Sequence, residues 1–372
     1  MKILHIGKFY PPKGGVEYAM FLITEKLNEK GYNADVLTTS EKNGQIYDYK
    51  TKIYTSKKLI KYASTMISID MISKLKSIIQ NYNIIHIHQP DPMATLALFF
   101  SIYKKKNIKI VVHWHSDIIK QKHLLKLYKP LQSWLLTRAD IIIGTTPVYI
   151  NNSVFLKKYL TKTTFVPLGI PKPQLVYENY IELLNKYKNK KIVFSLGRLI
   201  YYKGFQYLIE AAKYLPEDII ILIGGIGPLY NDLKEIIEKN KLQNKVELLG
   251  YIDNDFIGAY YKLCDVFCLP SIEKSEAYGL VQLEAMSYGK PVIATKIKGS
   301  GVSWVNQDSV TGINVESKNE HALAKAIKEI LENKDLYKKY SENSLHRYYD
   351  IGDNDKNVNE IIKIYNKLLL ET

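Results

Sequence analysis

Glu276 and Glu284 stand on either side of a glycine-marked turn in DVFCLPSIEKSEAYGLVQLEAMSYGKPVIAT, residues 265–295. The apolar run Val266, Phe267, Cys268 and Leu269 ends at Pro270 and reads as a buried strand. Leu280, Leu283, Glu284 and Ser287 follow at helical spacing until Gly289 and Pro291 stop the helix. KPVIAT reads as the next parallel strand, so the stretch is a βαβ unit, and in open α/β sheets ligands bind at such loops. Backbone N–H groups around Gly279, Leu280 and Val281 would face an anion at the helix start. A carboxylate beside such a site cannot ligate phosphate, so Glu276 and Glu284 are expected to accept hydrogen bonds from sugar hydroxyls. The combination points to a sugar nucleotide, although spacing alone does not separate the pair from two solvated glutamates.

Other chemistry-bearing residues fall at the exits of further strands. IVFSLG ends at Gly197, and Arg198 and Lys203 lie before a helix starting near Gly204; two such cations can converge on a diphosphate, Arg as a fork and Lys as a point charge. Gly14 and Gly15 follow the strand KILHIG and precede a helix carrying Tyr18, Phe21, Leu22, Glu25 and Leu27, a position where glycine permits close approach to phosphate. The dinucleotide pattern G-x-G-x-x-G is absent there, and Gly225 and Gly227 mimic it only until Tyr230. His86 and His88 share one face of the strand in NIIHIHQPDPM, with no third metal ligand in a recognisable pattern. IKIVVHWHSD ends in His113, His115 and Asp117, and Thr145 and Thr146 leave the strand ADIIIG. His88, Asp117, Thr145 and Thr146 are candidates for the acceptor side.

The string EAYGLVQLEAMSYGKPVIAT resembles the donor-binding signature of the retaining glycosyltransferases of family four, with the GT-B fold. GRLIYYKGF is similar to the family's G-R-x(4)-KG-F element, and GGVE resembles its loop over the donor phosphates. The likeness covers almost the whole chain. It implies an α/β chain of two Rossmann-like, doubly wound domains facing each other across a cleft. It also implies transfer of a sugar from a nucleoside diphosphate sugar to a hydroxyl, with retention. His115, in an H-x-D segment, would touch the donor sugar, the backbone at Tyr251 and Ile252 the nucleobase, Glu276 the sugar hydroxyls and Glu284 the ribose. Arg198, Lys203 and the Gly15 loop would stabilise the leaving diphosphate, with no metal or other cofactor expected. No carboxylate stands out as a nucleophile, in agreement with the front-face mechanism discussed for the family. KGSGVSWVN, residues 298–306, looks like a variant common among bacterial mannosyltransferases, which favours GDP-mannose, then UDP-sugars.

A chain of 372 residues suits two domains. The expected plan is an acceptor-side domain over 1–170, a linker over 171–189, a nucleotide-sugar domain over 190–350 and a terminal helix within 351–372 returning to the first domain. Residues 1–170 hold 25 Lys and Arg against 10 Asp and Glu, whereas 171–372 are balanced at 27 each, so the whole formal charge of +15 lies in the first half. Such asymmetry implies an anionic partner, nucleic acid or membrane. The cations interleave with apolar residues in KKLIKYASTMISIDMISKLKSIIQ (57–80) and KQKHLLKLYKPLQSWLLTR (120–138), read as amphipathic helices, which favours an anionic membrane surface over nucleic acid. The expected acceptor is then a lipid-linked saccharide of bacterial cell-surface polysaccharide, O-antigen, capsule or lipopolysaccharide, and the expected location cytoplasmic, peripheral on the inner face of the plasma membrane. The alternatives are a nucleic-acid-binding protein and a glycosyltransferase with a soluble acceptor; a dinucleotide oxidoreductase lacks its glycine motif. Cys264 and Cys268 read as buried thiols, and no window approaches the ~20 apolar residues of a membrane span.

Overall fold

The computed structural model describes residues 1–12, 14–48, 50–62, 65–102, 107–119 and 122–370, which form two compact units, 1–169 with 354–372 and 170–353. The first unit begins with β1 (Lys2–Phe9), α1 (Gly15–Glu29) and β2 (Asn33–Ser40). An edge hairpin follows, β3 (Gly44–Asp48) and β4 (Thr51–Lys57), then a small hairpin, β5 (Ile60–Tyr62) and β6 (Thr65–Ile67). The unit continues through α2 (Asp70–Ile78), β7 (Ile84–Gln89), α3 (Pro92–Ser101), β8 (Lys109–Trp114), α4 (Lys122–Arg138), β9 (Ile141–Gly144), α5 (Pro147–Asn152) and β10 (Thr163–Phe165). Its eight-stranded sheet has the order β10-β9-β8-β7-β1-β2-β4-β3, parallel except for β3. The strands of a parallel sheet are covered on both faces, which is why IIHIHQ of β7 is buried throughout.

One sequence expectation fails in this unit. Residues 57–80 are not one amphipathic helix: 60–62 and 65–67 pair as the β5–β6 hairpin, and helix begins only at Asp70, as α2 followed by a 3₁₀ turn over Ile79–Asn81. β-branched and aromatic residues there satisfy their backbone across the hairpin instead of along a helix. The helix read after Gly15 forms as α1, with Glu17, Ala19, Met20, Ile23, Thr24 and Leu27 buried and Tyr18 exposed. The second basic stretch does form α4; Lys120 and Gln121 lie outside the described residues.

The second unit runs through α6 (Tyr177–Lys186), β11 (Lys191–Leu196), α7 (Phe205–Ala211), β12 (Ile219–Gly224), α8 (Tyr230–Lys239), β13 (Val246–Gly250), α9 (Asn254–Leu263) and β14 (Val266–Leu269). It closes with α10 (Leu280–Ser287), β15 (Val292–Lys296), α11 (Val302–Val305), β16 (Gly312–Glu316), α12 (Glu320–Glu332) and α13 (Lys334–Arg347). Its six strands are parallel in the order β13-β12-β11-β14-β15-β16. Residues 171–189, read as a linker, belong to this unit and contain α6, which packs on α9. The last helix, α14 (Asn354–Leu370), joins the first unit, where Val358, Ile361, Tyr365 and Leu368 pack on Ile3, Ile84 and Val111 of the sheet. Among the described residues, no helix is long and apolar enough to cross a membrane.

Candidate active site

In the second unit the strand order reverses between β11 and β14, and the chain leaves both strands at their C-terminal ends there. Ligands of open α/β sheets bind at such a reversal. After β11 a short turn, Tyr201–Lys203, ends at Gly204 with φ +71°; a Cβ there would lie 2.0 Å from the Pro270 carbonyl oxygen, so this close approach requires glycine. The Ile272 N–H donates to the Tyr202 carbonyl at 2.8 Å, tying the two loops together. Lys203 is thereby brought to Glu276: Nζ donates to Oε2 at 2.6 Å, and the Ser271 hydroxyl donates to the same oxygen at 2.9 Å. Both side chains are about nine-tenths buried. A buried pair is costly to break because the remaining charge has no water to turn to.

Glu276 is braced from behind. The Ser300 hydroxyl donates to its carbonyl, and the Gly301 N–H donates to the Ala277 carbonyl at 2.9 Å. The segment 298–306, read in the sequence only as a pointer to the donor, therefore shapes the Glu276 loop. Gly279, with φ +76°, turns the chain into α10, whose first N–H groups, at Leu280 and Val281, have no intrahelical acceptor. Glu284 lies one turn further on and accepts from Tyr261 Oη at 2.6 Å; burial raises its carboxyl above the usual range, opposed by Tyr261 and Lys203. Arg198 is exposed and makes no side-chain hydrogen bond or ion pair among the described residues. Lys203 is thus paired with Glu276, while the Arg198 side chain has no hydrogen-bond or ion-pair partner among the described residues. Gly197 lies against the Lys203 stem, its Cβ position 3.2 Å from Cε. Ile252 is buried on Gly224, and Tyr251 is 67% exposed beside it.

In the first unit the reversal falls between β1 and β7. Gly14 caps α1 there and Gly15 opens it. Pairing of β1 with β7 and β7 with β8 aligns His5 with His86 and His88 with His113. Five histidines, His5, His86, His88, His113 and His115, consequently form one buried cluster in which His113 and His115 stack at 4.3 Å between ring centroids. His5 Nδ1 lies 3.0 Å from His88 Nε2, and His88 Nδ1 lies 2.9 Å from His115 Nε2. His86 is hydrogen-bonded to Tyr365 of α14. Burial lowers the pKa of each, to about 3 for His5 and His113, with neighbouring imidazoles adding to the effect on His5, His86, His88 and His115. The rings are therefore neutral at physiological pH.

The expectation that His86 and His88 have no third ligand nearby is overturned: His5, His86 and His88, and again His88, His113 and His115, each bring three ring nitrogens within 4.8 Å. Both sets consist of imidazoles alone, and the hydrogen bonds to His5 and His115 already engage both ring nitrogens of His88, which belongs to both sets. His5 was missed because a lone strand histidine has no pattern; only pairing with β7 gives it a role.

The acceptor-side candidates are held by local bonds. Asp117 Oδ1 accepts from Trp114 Nε1 at 3.0 Å and from the Ser153 hydroxyl at 2.7 Å. Thr146 caps α5 by accepting from the Tyr149 N–H at 3.0 Å, whereas the buried Thr145 hydroxyl has no partner among the described residues. Cys264 and Cys268 are free and buried, and burial raises both thiols, Cys264 to about 12.

Two parallel, doubly wound units with these strand-end sites define the GT-B class, and solved structures of similar fold agree. A sucrose-phosphate synthase from Thermosynechococcus elongatus matches with TM-score 0.81 and 20% identity, covering 100% of both chains. Anabaena HepE in complex with UDP-glucose matches with TM-score 0.77 and 20% identity over 99% of this chain and 100% of that one. The family model for glycosyltransferase family 4 matches residues 13–170, and that for glycosyl transferases group 1 matches 176–347. The O-antigen chain mannosyltransferase C of Escherichia coli is 30% identical over 99% of each chain, and the D-rhamnosyltransferase WbpZ of Pseudomonas aeruginosa is 30% identical over 94% of this chain and 91% of that one. The chain belongs to glycosyltransferase family 4 and is a glycosyltransferase with the GT-B fold.

Proposed function

We propose that this glycosyltransferase moves mannose from GDP-mannose, with retention at the anomeric carbon, to a hydroxyl of a lipid-linked saccharide in bacterial O-antigen or related cell-surface polysaccharide synthesis. The observation that carries the reading is the Lys203–Glu276 pair held beside the Gly279 turn, where a diphosphate and a sugar hydroxyl would both find partners. Departure of the nucleotide puts charge on the β-phosphate. Lys203, Arg198, the Gly15 loop and the first N–H groups of α10 are cationic or donor groups suited to that charge without a divalent ion. By the family pattern, Glu276 holds the sugar hydroxyls, Glu284 the ribose, the backbone at Tyr251 and Ile252 the base, and His115 the donor sugar. Mannose is supported by the segment 298–306 and by the name of the E. coli relative. A lipid-linked acceptor is supported by the charge of the first half and by α4, where Leu127, 81% exposed, lies between the exposed Lys126 and Lys129.

A panel of GDP- and UDP-sugars, read by saturation-transfer NMR and by nucleotide release, tests the donor: GDP-mannose is expected to give the strongest response. A stronger response to a UDP-sugar overturns that choice, and a β-linked product from an α-linked donor overturns retention.

A further inference from the structure

We propose that His88 is a positioning residue for His115, and that the hydrogen-bonded series His5, His88, His115 holds His115 as the neutral tautomer with its proton on Nδ1. This rests on the reading of His115 as a donor-sugar residue. A neutral imidazole has one N–H and one lone pair, and His88 spends both, one on His5 and one on His115. The series can therefore run in only two directions. If His5 donates to His88 and His88 to His115, all three rings carry the proton on Nδ1, and the surplus N–H is His115 Nδ1. If the direction reverses, all three carry it on Nε2, and the surplus N–H is His5 Nε2.

Both terminal nitrogens are buried and lack a partner among the described residues. An unpaired buried N–H is unfavourable at either end, so the end that can acquire an acceptor decides the direction. His5 lies within β1 and is 0% exposed. His115 lies one residue beyond the C-terminal end of β8, the end at which ligands of parallel sheets bind. An oxygen of a ligand bound at that end of the sheet can accept the surplus N–H, whereas His5 sits in the middle of its strand. Burial, with His113 and Lys8 adding to it, lowers the His115 pKa well below the ordinary histidine value, which favours the neutral ring. His115 then recognises an acceptor oxygen, and His88, without touching the substrate, dictates that it does so.

The test has two arms. Long-range ¹⁵N–¹H NMR of the histidine-labelled full chain, with assignments from single His→Gln variants, is expected to show His5, His88 and His115 protonated on Nδ1; protonation of His88 and His115 on Nε2 overturns the proposal. Turnover is then compared in His88→Gln, whose amide can donate to His115 Nε2, and His88→Leu, which cannot, after far-UV circular dichroism shows both folded. The leucine variant is expected to lose on the order of 10²-fold in kcat with little change in KM, and the glutamine variant to recover most of it. Equal losses in two folded variants overturn the positioning role. Wild-type turnover in His115→Leu, with the Nδ1 signature intact elsewhere, would instead overturn the role assigned to His115 while leaving the tautomer assignment standing.

Discussion

Lys203 pairs with buried Glu276 and, under the proposed function, also supplies charge to the leaving diphosphate, two duties that a single substitution cannot separate. Lys203→Ala is expected to lower kcat by two to three decades, the order of loss seen when one electrostatic donor is removed from a transition state. It also leaves Glu276 with the Ser271 hydrogen bond but no counter-charge, a loss that for a buried pair costs about 3–5 kcal/mol of stability. Arg198→Ala, at an exposed side chain with no hydrogen-bond or ion-pair partner among the described residues, is expected to lose turnover on the same scale with the urea midpoint unchanged. Measuring kcat and urea unfolding on both variants separates the two duties. Near-wild-type turnover in either removes that residue from the mechanism.

At the level of single elements, the turn after β11 and the cap of α3 make opposite demands. Gly204 is fixed by its positive φ and by the Pro270 carbonyl, so Gly204→Ala should destabilise the chain by more than about 2 kcal/mol, read as a lower urea midpoint, and should displace Lys203. An unchanged midpoint would refute the close approach. Asp91 caps α3 by accepting from the Met93 and Ala94 N–H groups, each at 3.1 Å. Burial nevertheless raises its pKa from 3.8 to about 6, against the pull of Lys8 and those two donors. The folded chain thus holds this proton more tightly than the unfolded one. The resulting stability is complete below pH 3.8 and is lost as pH rises through about 6. Asp91→Asn keeps a capping oxygen and removes the titration. Relative to this variant, wild-type stability should fall by on the order of 2–3 kcal/mol between pH 3.5 and 7. A pH-independent difference would contradict the burial argument.

For the molecule as a whole, the charge confined to the first half predicts how it meets its acceptor. Co-sedimentation with phosphatidylglycerol liposomes should be strong at low salt, fall steeply as salt rises, and weaken in Lys126→Glu/Lys129→Glu, because each basic residue near an anionic surface contributes about 1 kcal/mol. Equal partitioning onto neutral and anionic liposomes, or none onto either, would favour a soluble acceptor. Turnover should not rise on adding Mg²⁺ or Mn²⁺ nor fall in EDTA. Loss in EDTA restored by either cation would place a metal at the diphosphate.

Local order was legible wherever one stretch of chain settles its own conformation. The βαβ unit from Val266 to Lys296, with its Gly279 turn, follows from an apolar run, a helical spacing and a glycine, all within 31 residues. The family strings carry Lys203 and Glu276 for the same reason, since each sits in a short motif. Within 57–80 the spacing fits a helix as well as a hairpin, and pairing of β5 with β6 decides for the hairpin before α2 begins at Asp70. What the sequence could not contain was proximity across the chain. Seventy-three residues separate Lys203 from Glu276, and 83 separate His5 from His88; each pair meets only because a parallel sheet reverses its strand order at that point. Burial then altered their chemistry, keeping the histidines neutral and binding the lysine to its carboxylate, and burial is a property of the packed sheet and its covering helices that no local pattern encodes.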